Sequence, residues 1–259
     1  MRTIISKDGT PIAFDQSGEG TPIILVVGAF NERSTGAALA ASLSNHFTVF
    51  NYDRRGRGAS GDTVPYATLR ELEDLDVLIT EAGGSASVFG YSSGAILALM
   101  AAARGLPITK LALYDPTFFG DAKTTQRFKD LVGQLTELIA SDRRGEAVEL
   151  FQTQALGMPT SVVAQLRQAP FWPALEAIAH TLVYESTILG DMDILAEQLP
   201  SITVKTLVIS GGEGQARMLQ AAQAVADALP SASYRSLSGQ THDLVPAVLA
   251  PVLEEFFVS

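Results

Sequence analysis

Gly90-Tyr91-Ser92-Ser93-Gly94 constrains this chain more than any other stretch. The β-favouring Ser87-Val88-Phe89 runs directly into it, and the helix formers Ala95-Ile96-Leu97-Ala98-Leu99-Met100-Ala101-Ala102-Ala103 follow with no room for a loop. The spacing predicts a strand, a sharp turn and a helix. At such a turn a Cβ at Gly90 or Gly94 would collide with neighbouring chain, and the side chain of Ser92 is pushed outwards. A serine hydroxyl is a weak nucleophile by itself. It needs a base to take its proton, a third group to orient that base, and donors for the oxyanion. The same pentad also occurs as a plain glycine turn, so the rest of the chain has to supply these parts.

Composition narrows the field. The 259 residues are 47% hydrophobic, enough to bury one large core with room for an inserted subdomain. Eighteen basic against 28 acidic residues leave a formal charge of −10, which argues against nucleic acid or an anionic membrane as partner and mainly reports solubility. With no cysteine and only three dispersed histidines, the chain offers no disulfide, no thiol nucleophile and no transition-metal ligand set, so neither metal nor cofactor is expected. Charges in Met1-Arg2-Thr3-Ile4-Ile5-Ser6-Lys7-Asp8 occupy the place of a signal peptide's apolar core, and the apolar runs at 22–29 and 93–103 are shorter than a membrane span. A cytoplasmic protein, monomer or homodimer, is the expectation.

Along the chain, 2–6 and 11–15 read as a hairpin turning at Asp8-Gly9. Pro22 to Val27 and Phe47 to Tyr52 are continuous apolar runs of the kind that strands covered on both faces require, and an alanine-rich helix, Ser34 to Leu43, lies between them. Asp53-Arg54-Arg55-Gly56-Arg57-Gly58-Ala59-Ser60-Gly61 lacks the Lys-Ser/Thr or third glycine of a phosphate cradle and reads as a structural loop. Tyr66 to Ala82 carries Leu69, Leu72, Leu75 and Ile79 at helical spacing. Ile108 to Tyr114 is a strand stopped by Asp115-Pro116. Strand and helix alternate, as in parallel α/β proteins.

From Phe118 to about Glu197 that alternation breaks. Helices are predicted at 124–140, 145–155, 161–168 and 172–189, an insertion holding Phe118, Phe119, Phe128, Phe151, Met158, Phe171, Trp172 and Tyr184. Most of these belong in a core, and a few are candidates to line a pocket over the serine. Val204 to Ser210 resumes the sheet, 215–229 is a helix, Ser233 to Leu237 the last strand and Pro246 to Phe257 the closing helix. His242 follows the final strand. The ends of parallel strands are where ligands bind, and Ser92, Asp115 and His242 all lie there.

A strand-capping serine, a carboxylate and a histidine in that order are the sequence form of a relay. Together with Val27-Gly28-Ala29-Phe30, the Asp53 to Ser60 loop and Gly239-Gln240-Thr241-His242, they make the chain resemble the α/β-hydrolase fold superfamily over nearly its whole length. The resemblance implies an eight-stranded, mostly parallel α/β sheet flanked by helices: core residues 1–117 and 198–259, with an all-helical cap at 118–197. It implies Ser92 as nucleophile, His242 as general base, and the backbone N–H groups of Ala29 and Ser93 as oxyanion donors. Phe30, Tyr91, Phe118, Phe119, Phe171 and Trp172 are the pocket candidates it suggests.

The chain departs from the family pattern twice. Val27-Gly28 replaces the frequent His-Gly, and the usual place of the acid, after the penultimate strand, is Gly214. Glu213 is its nearest substitute. Haloalkane dehalogenase-like relatives carry the acid after the strand that follows the nucleophile helix, and Asp115 stands there, so Asp115 is preferred with Glu213 as fallback; Asp243 is a distant third. The resemblance implies acyl transfer to water, with a small apolar or aromatic carboxylic ester or lactone as the expected substrate. Amide, thioester and carbon–carbon hydrolysis, perhydrolysis, a triad-based lyase and a catalytically silent binding protein use the same parts.

Overall fold

A computed structural model describes residues 1–117 and 122–259. Its centre is a sheet of eight strands, β1 (Arg2–Ile5), β2 (Pro11–Ser17), β3 (Thr21–Val26), β4 (Phe47–Tyr52), β5 (Ala86–Tyr91), β6 (Ile108–Tyr114), β7 (Thr206–Gly211) and β8 (Ala232–Leu237), in the order β1-β2-β4-β3-β5-β6-β7-β8. The first hairpin turns at Asp8-Gly9 as its sequence predicts: Gly9 takes a φ of +89°, and Asp8 Oδ1 accepts the Thr10 N–H at 3.0 Å. β2 pairs antiparallel with β1 and β4, and every other pairing is parallel. The chain builds β4 on one side of β3 and then returns to build β5 on the other. The crevice between the ends of β3 and β5 is therefore the switch point of the sheet, and the Val27 and Ser92 segments leave it side by side.

The continuous apolar runs are explained by burial on both faces. Alternate residues Ile23, Leu25, Val49, Phe89 and Ile209 face one way, onto α1 (Arg33–Leu43) and α11 (Pro246–Val258) through Leu39, Leu43, Leu253 and Phe257. Ile24, Val26, Phe50, Val88 and Val208 face the other way. There they meet α2 (Thr68–Glu81), α3 (Ser93–Ala103) and α10 (Ala216–Ala228). Leu72 and Leu75 of α2 lie in that core, whereas Leu69 sits on the flank of the helix and is exposed.

Between β6 and β7 the described residues form helices only. They are α4 (Ala122–Ala140), α5 (Arg144–Leu150) running on into a wide π turn at Phe151–Ala155, α6 (Thr160–Leu166), α7 (Trp172–Ala177), α8 (Thr181–Gly190) and α9 (Met192–Gln198). The single helix expected over 172–189 is broken at 178–180, where Thr181 N–H bonds back to Ile178 O at 3.0 Å instead of continuing α7. α8 lies against both α4 and α3, so this segment is tied to the helix that follows Ser92. Among the described residues no helix is long and apolar enough to cross a membrane.

Candidate active site

Ser92 sits between β5 and α3 with φ 58° and ψ −125°, left-handed backbone that a non-glycine residue adopts only under constraint. The two glycines of the pentad make the turn possible. A Cβ on Gly90 would lie 2.6 Å from Ala95 Cα, and one on Gly94 would overlap the carbonyl oxygens of Val26 and Val27. Gly28 is constrained from the other side, since its Cβ would lie 2.9 Å from Ser92 Cβ and 3.1 Å from Ser93 Oγ. Four non-glycine residues among those described have positive φ, and three of them are Phe30, Ser92 and Asp115, at the ends of β3, β5 and β6. Backbone strain is thus concentrated where the strands present side chains to the crevice.

The three residues singled out from the sequence meet there. His242 Nε2 lies 3.2 Å from Ser92 Oγ, and His242 Nδ1 lies 2.9 Å from Asp115 Oδ2. Asp115 is buried, and its Oδ1 accepts the Gly211 N–H at 3.1 Å, which leaves Oδ2 aimed at the imidazole. A carboxylate in that position accepts the Nδ1 hydrogen and leaves the Nε2 lone pair facing the serine. Glu213 is exposed and lies on the rim of the neighbouring cavity; its own N–H donates to Gln240 O at 2.8 Å. Asp243 accepts from the Thr241 hydroxyl at 3.0 Å. Of the three acids considered, Asp115 is the one paired with the histidine.

The histidine loop is held by two tyrosines whose role is not apparent in the sequence. Tyr91 Oη donates to His242 O at 2.9 Å, and Tyr114 Oη reaches Thr241 O at 2.6 Å. Burial, with the nearby Asp243 and Asp115 charges, pushes the Tyr91 phenol upwards, so it stays protonated and donates. Tyr91, expected in the pocket, instead lies with its ring tilted 35° to the His242 ring at 5.0 Å and anchors the backbone of that residue. Gly211 lets that loop approach β7, because a Cβ there would lie 2.6 Å from the Thr241 carbonyl carbon.

Ser92 and His242 open into a cavity of about 420 Å³, walled by Phe128, Phe151, Met158, Leu189 and Met218, with Arg217 and Glu213 at its polar side. The other pocket candidates fall elsewhere. Phe30 packs edge-on against Phe151 at 5.6 Å and does not itself line the cavity. Trp172 is buried among the inserted helices with its Nε1–H on Glu176 Oε1 at 2.8 Å, and Phe171 is 51% exposed. Phe118 and Phe119 lie outside the described residues. Which aromatic of a helical segment reaches the cavity depends on the rotation of each helix, and that is set by the elements it packs against, α8 in the case of α4, and not by local spacing.

The two amides expected to serve an oxyanion, those of Ala29 and Ser93, are arranged less simply than the sequence suggests. Ser93 is the first residue of α3, where helix geometry leaves N–H groups without intrahelical acceptors. The Ala29 N–H, by contrast, donates to Ser93 Oγ at 2.9 Å. Behind this loop lies the Asp53 to Gly61 segment, structural as expected but with its arginines wholly buried. Arg54 forks onto Glu71 at 2.6 and 2.8 Å, and Arg55 onto Asp74 at 2.7 and 2.8 Å. Arg57 and Arg54 both donate to Glu185 of α8.

A family model described as the alpha/beta hydrolase family matches residues 23–252. The chain belongs to that family. It is similar to the crystal structure of an alpha/beta hydrolase from Sphaerobacter thermophilus at 50% identity, covering 99% of this chain and 100% of that one, with a TM-score of 0.90. A thermophilic esterase from Thermogutta terrifontis, solved with malate bound, is similar at 20% identity, 100% and 98% coverage and a TM-score of 0.76. The enol-lactonase from Burkholderia xenovorans follows at 22% identity, full coverage of this chain and 100% of that chain, and a TM-score of 0.71. At those lower identities the likeness carries the fold alone; family membership makes this chain an enzyme of the α/β-hydrolase class.

Proposed function

We propose that the chain is a serine hydrolase that cleaves a small, apolar or aromatic carboxylic ester or lactone through an acyl-enzyme on Ser92. The observation that carries this reading is the continuous Ser92–His242–Asp115 contact at 3.2 and 2.9 Å, opening into a largely apolar cavity. His242 Nε2 takes the Ser92 proton as Oγ attacks the carbonyl carbon, and the oxyanion takes hydrogen bonds from the Ser93 and Ala29 amides. Collapse breaks the carbon–oxygen bond, and the imidazolium returns the proton to the departing alkoxide. Water, deprotonated by the same imidazole, then attacks the acyl carbon; the proton goes back to Ser92 and the carboxylic acid leaves. Asp115 orients the imidazole and stabilises its cationic form. The inserted helices act as the cap, contributing Phe128, Phe151, Met158 and Leu189 to the acyl or alcohol side.

Intact mass after exposure to a serine-directed fluorophosphonate tests the reading. One adduct on the wild type, absent from Ser92→Ala, is the expected result. A folded wild type that takes up neither this reagent nor a smaller sulfonyl fluoride would mean that the site binds ligands without turnover.

A further inference from the structure

The oxyanion loop is held from behind by one residue of the inserted helices. Glu185 is fully buried on α8, and its Oε1 accepts from Arg57 Nη2 and, at 2.8 Å, from Arg54 Nη1. Both guanidiniums continue to the loop: Arg57 Nη1 donates to Gly28 O at 2.7 Å and Arg54 Nη1 reaches Val27 O at 3.2 Å. The Gly28 carbonyl and the Ala29 N–H belong to a single peptide plane. Its carbonyl end is therefore tied to Glu185 through Arg57.

Its amide end is tied through Ser93. Ser93 Oγ, 2% exposed for the residue as a whole, accepts the Ala29 N–H and must send its own hydrogen elsewhere. The Glu185 carboxylate lies beside it, and its buried Oε2 has no hydrogen-bond partner among the described residues, so it is the acceptor open to that hydrogen. Burial pushes this carboxyl up, but the Arg54 and Arg57 charges and the Ser93 hydroxyl outweigh that and hold it below its ordinary range, so it is the ionised form that the cluster keeps. A carboxylate that collects two guanidiniums and lies beside a serine hydroxyl, all three groups touching one three-residue loop, fixes that loop's orientation and not merely its position.

We propose that Glu185 is a positioning residue for the oxyanion site, setting the Gly28–Ala29 peptide plane from both ends, through Arg57 on its carbonyl and Ser93 on its amide. The inference rests on the reading of Ser92 as nucleophile. In the resting site the Ala29 N–H points at Ser93 Oγ; as charge develops on the substrate oxygen, this donor is shared between the two acceptors in a three-centre bond. Because Glu185 lies on an inserted helix and the loop on the core, the arrangement couples the seating of α8 to oxyanion stabilisation.

The test uses Glu185→Gln and Ser93→Ala in the full chain, with phenyl acetate and its thionoester as probes and fluorophosphonate labelling alongside. Sulfur is a poor hydrogen-bond acceptor, so the oxoester-to-thionoester rate ratio reports the oxyanion donors and is insensitive to a purely structural loss. Each variant is expected to lower kcat for phenyl acetate and the labelling rate about 10-fold or more, with KM within about 2-fold, and to draw the ratio towards unity. If Glu185→Gln does not fold, Ser93→Ala decides alone, because it leaves the arginine–glutamate cluster intact. A Ser93→Ala protein that labels as fast as wild type or faster, with an unchanged ratio, would show the hydroxyl to be only a competitor for the amide and overturn the inference. A wild type that takes no label overturns the Ser92 reading and this inference with it, whereas a labelled wild type with unaltered variants overturns this inference alone.

Discussion

Asp115 and Glu213 differ in what surrounds them, and the proposal of Asp115 as the acid rests on that difference. Asp115 is 1% exposed, left-handed at φ 45°, and has one oxygen on the Gly211 amide and the other on His242. Glu213 stands in solvent at the cavity rim, with no tie among the described residues that would aim it at the imidazole. Asp115→Asn keeps the shape but presents an amide to Nδ1, which favours the wrong tautomer. The expected loss in kcat is about 10²–10⁴-fold, with KM little changed, when hydrolysis of a chromogenic acetate ester is followed. Glu213→Gln should stay within about 2-fold in the same assay, because a rim charge is screened and touches no reacting atom. Equal losses in the two variants would return the acid to the penultimate strand.

At the scale of elements, the strand–turn–helix unit around Ser92 is specified by backbone clearance. A Cβ on Gly94 meets two carbonyl oxygens of the β3 end, atoms that cannot rotate away. Gly94→Ala should therefore destabilise by about 3 kcal/mol, read from the urea midpoint at constant m. Gly133→Ala is the matched control. Gly133 lies on the exposed face of α4 with nothing within 4 Å of its Cβ position, so the change should leave stability unaltered or raise it by up to about 1 kcal/mol. The same scale shows where sequence reading stops. The periodicities that place α2 and α4 in a row are local, but the rotation that sends Phe128, Phe151 and Met158 to the cavity, and Trp172 into the packing of its own helix layer, depends on which partner each helix meets.

The whole molecule is stitched by buried charge. Asp8, at the first hairpin turn, bonds to Arg55 at 2.9 Å, and Arg55 forks onto Asp74 of α2. Burial pushes the Asp8 carboxyl up, but the bonds from Arg55 and Thr10 overcome this and hold it far below the ordinary carboxylate range. Glu185 is lowered as well. For a group depressed in the folded state, the unfolded chain binds the proton first, so stability is present above the unfolded value and lost as the pH falls through the folded one. Asp74, raised by burial, acts with the opposite sign. Urea midpoints measured from about pH 6 down to about pH 3 should fall, beginning near the ordinary carboxylate pKa of about 4, and Asp8→Asn should flatten that descent. An unchanged slope in Asp8→Asn would place the acid sensitivity elsewhere.

Much of this protein was legible because its chemistry sits at punctuation marks. Ser92 lies between two glycines at a strand end, Asp115 before the proline that stops β6, and His242 after the last strand, and the parallel order of those strands brings the three ends together. Continuous apolar runs indicated a sheet covered on both faces, and the helical periods between 118 and 197 indicated an insertion. Asp115 could be preferred to Glu213 by its place in the chain, but not paired with His242, since the two are 127 residues apart. Glu185 was out of reach altogether. In Tyr184-Glu185-Ser186 it looks like any solvated helix charge, and its partners lie 131 and 128 residues earlier, at Arg54 and Arg57. Local sequence determines which backbone each segment prefers and where each strand must end. Only the tertiary structure decides which side chains are removed from water together, because burial, and with it the requirement that every charge find a partner, is a property of the assembled core.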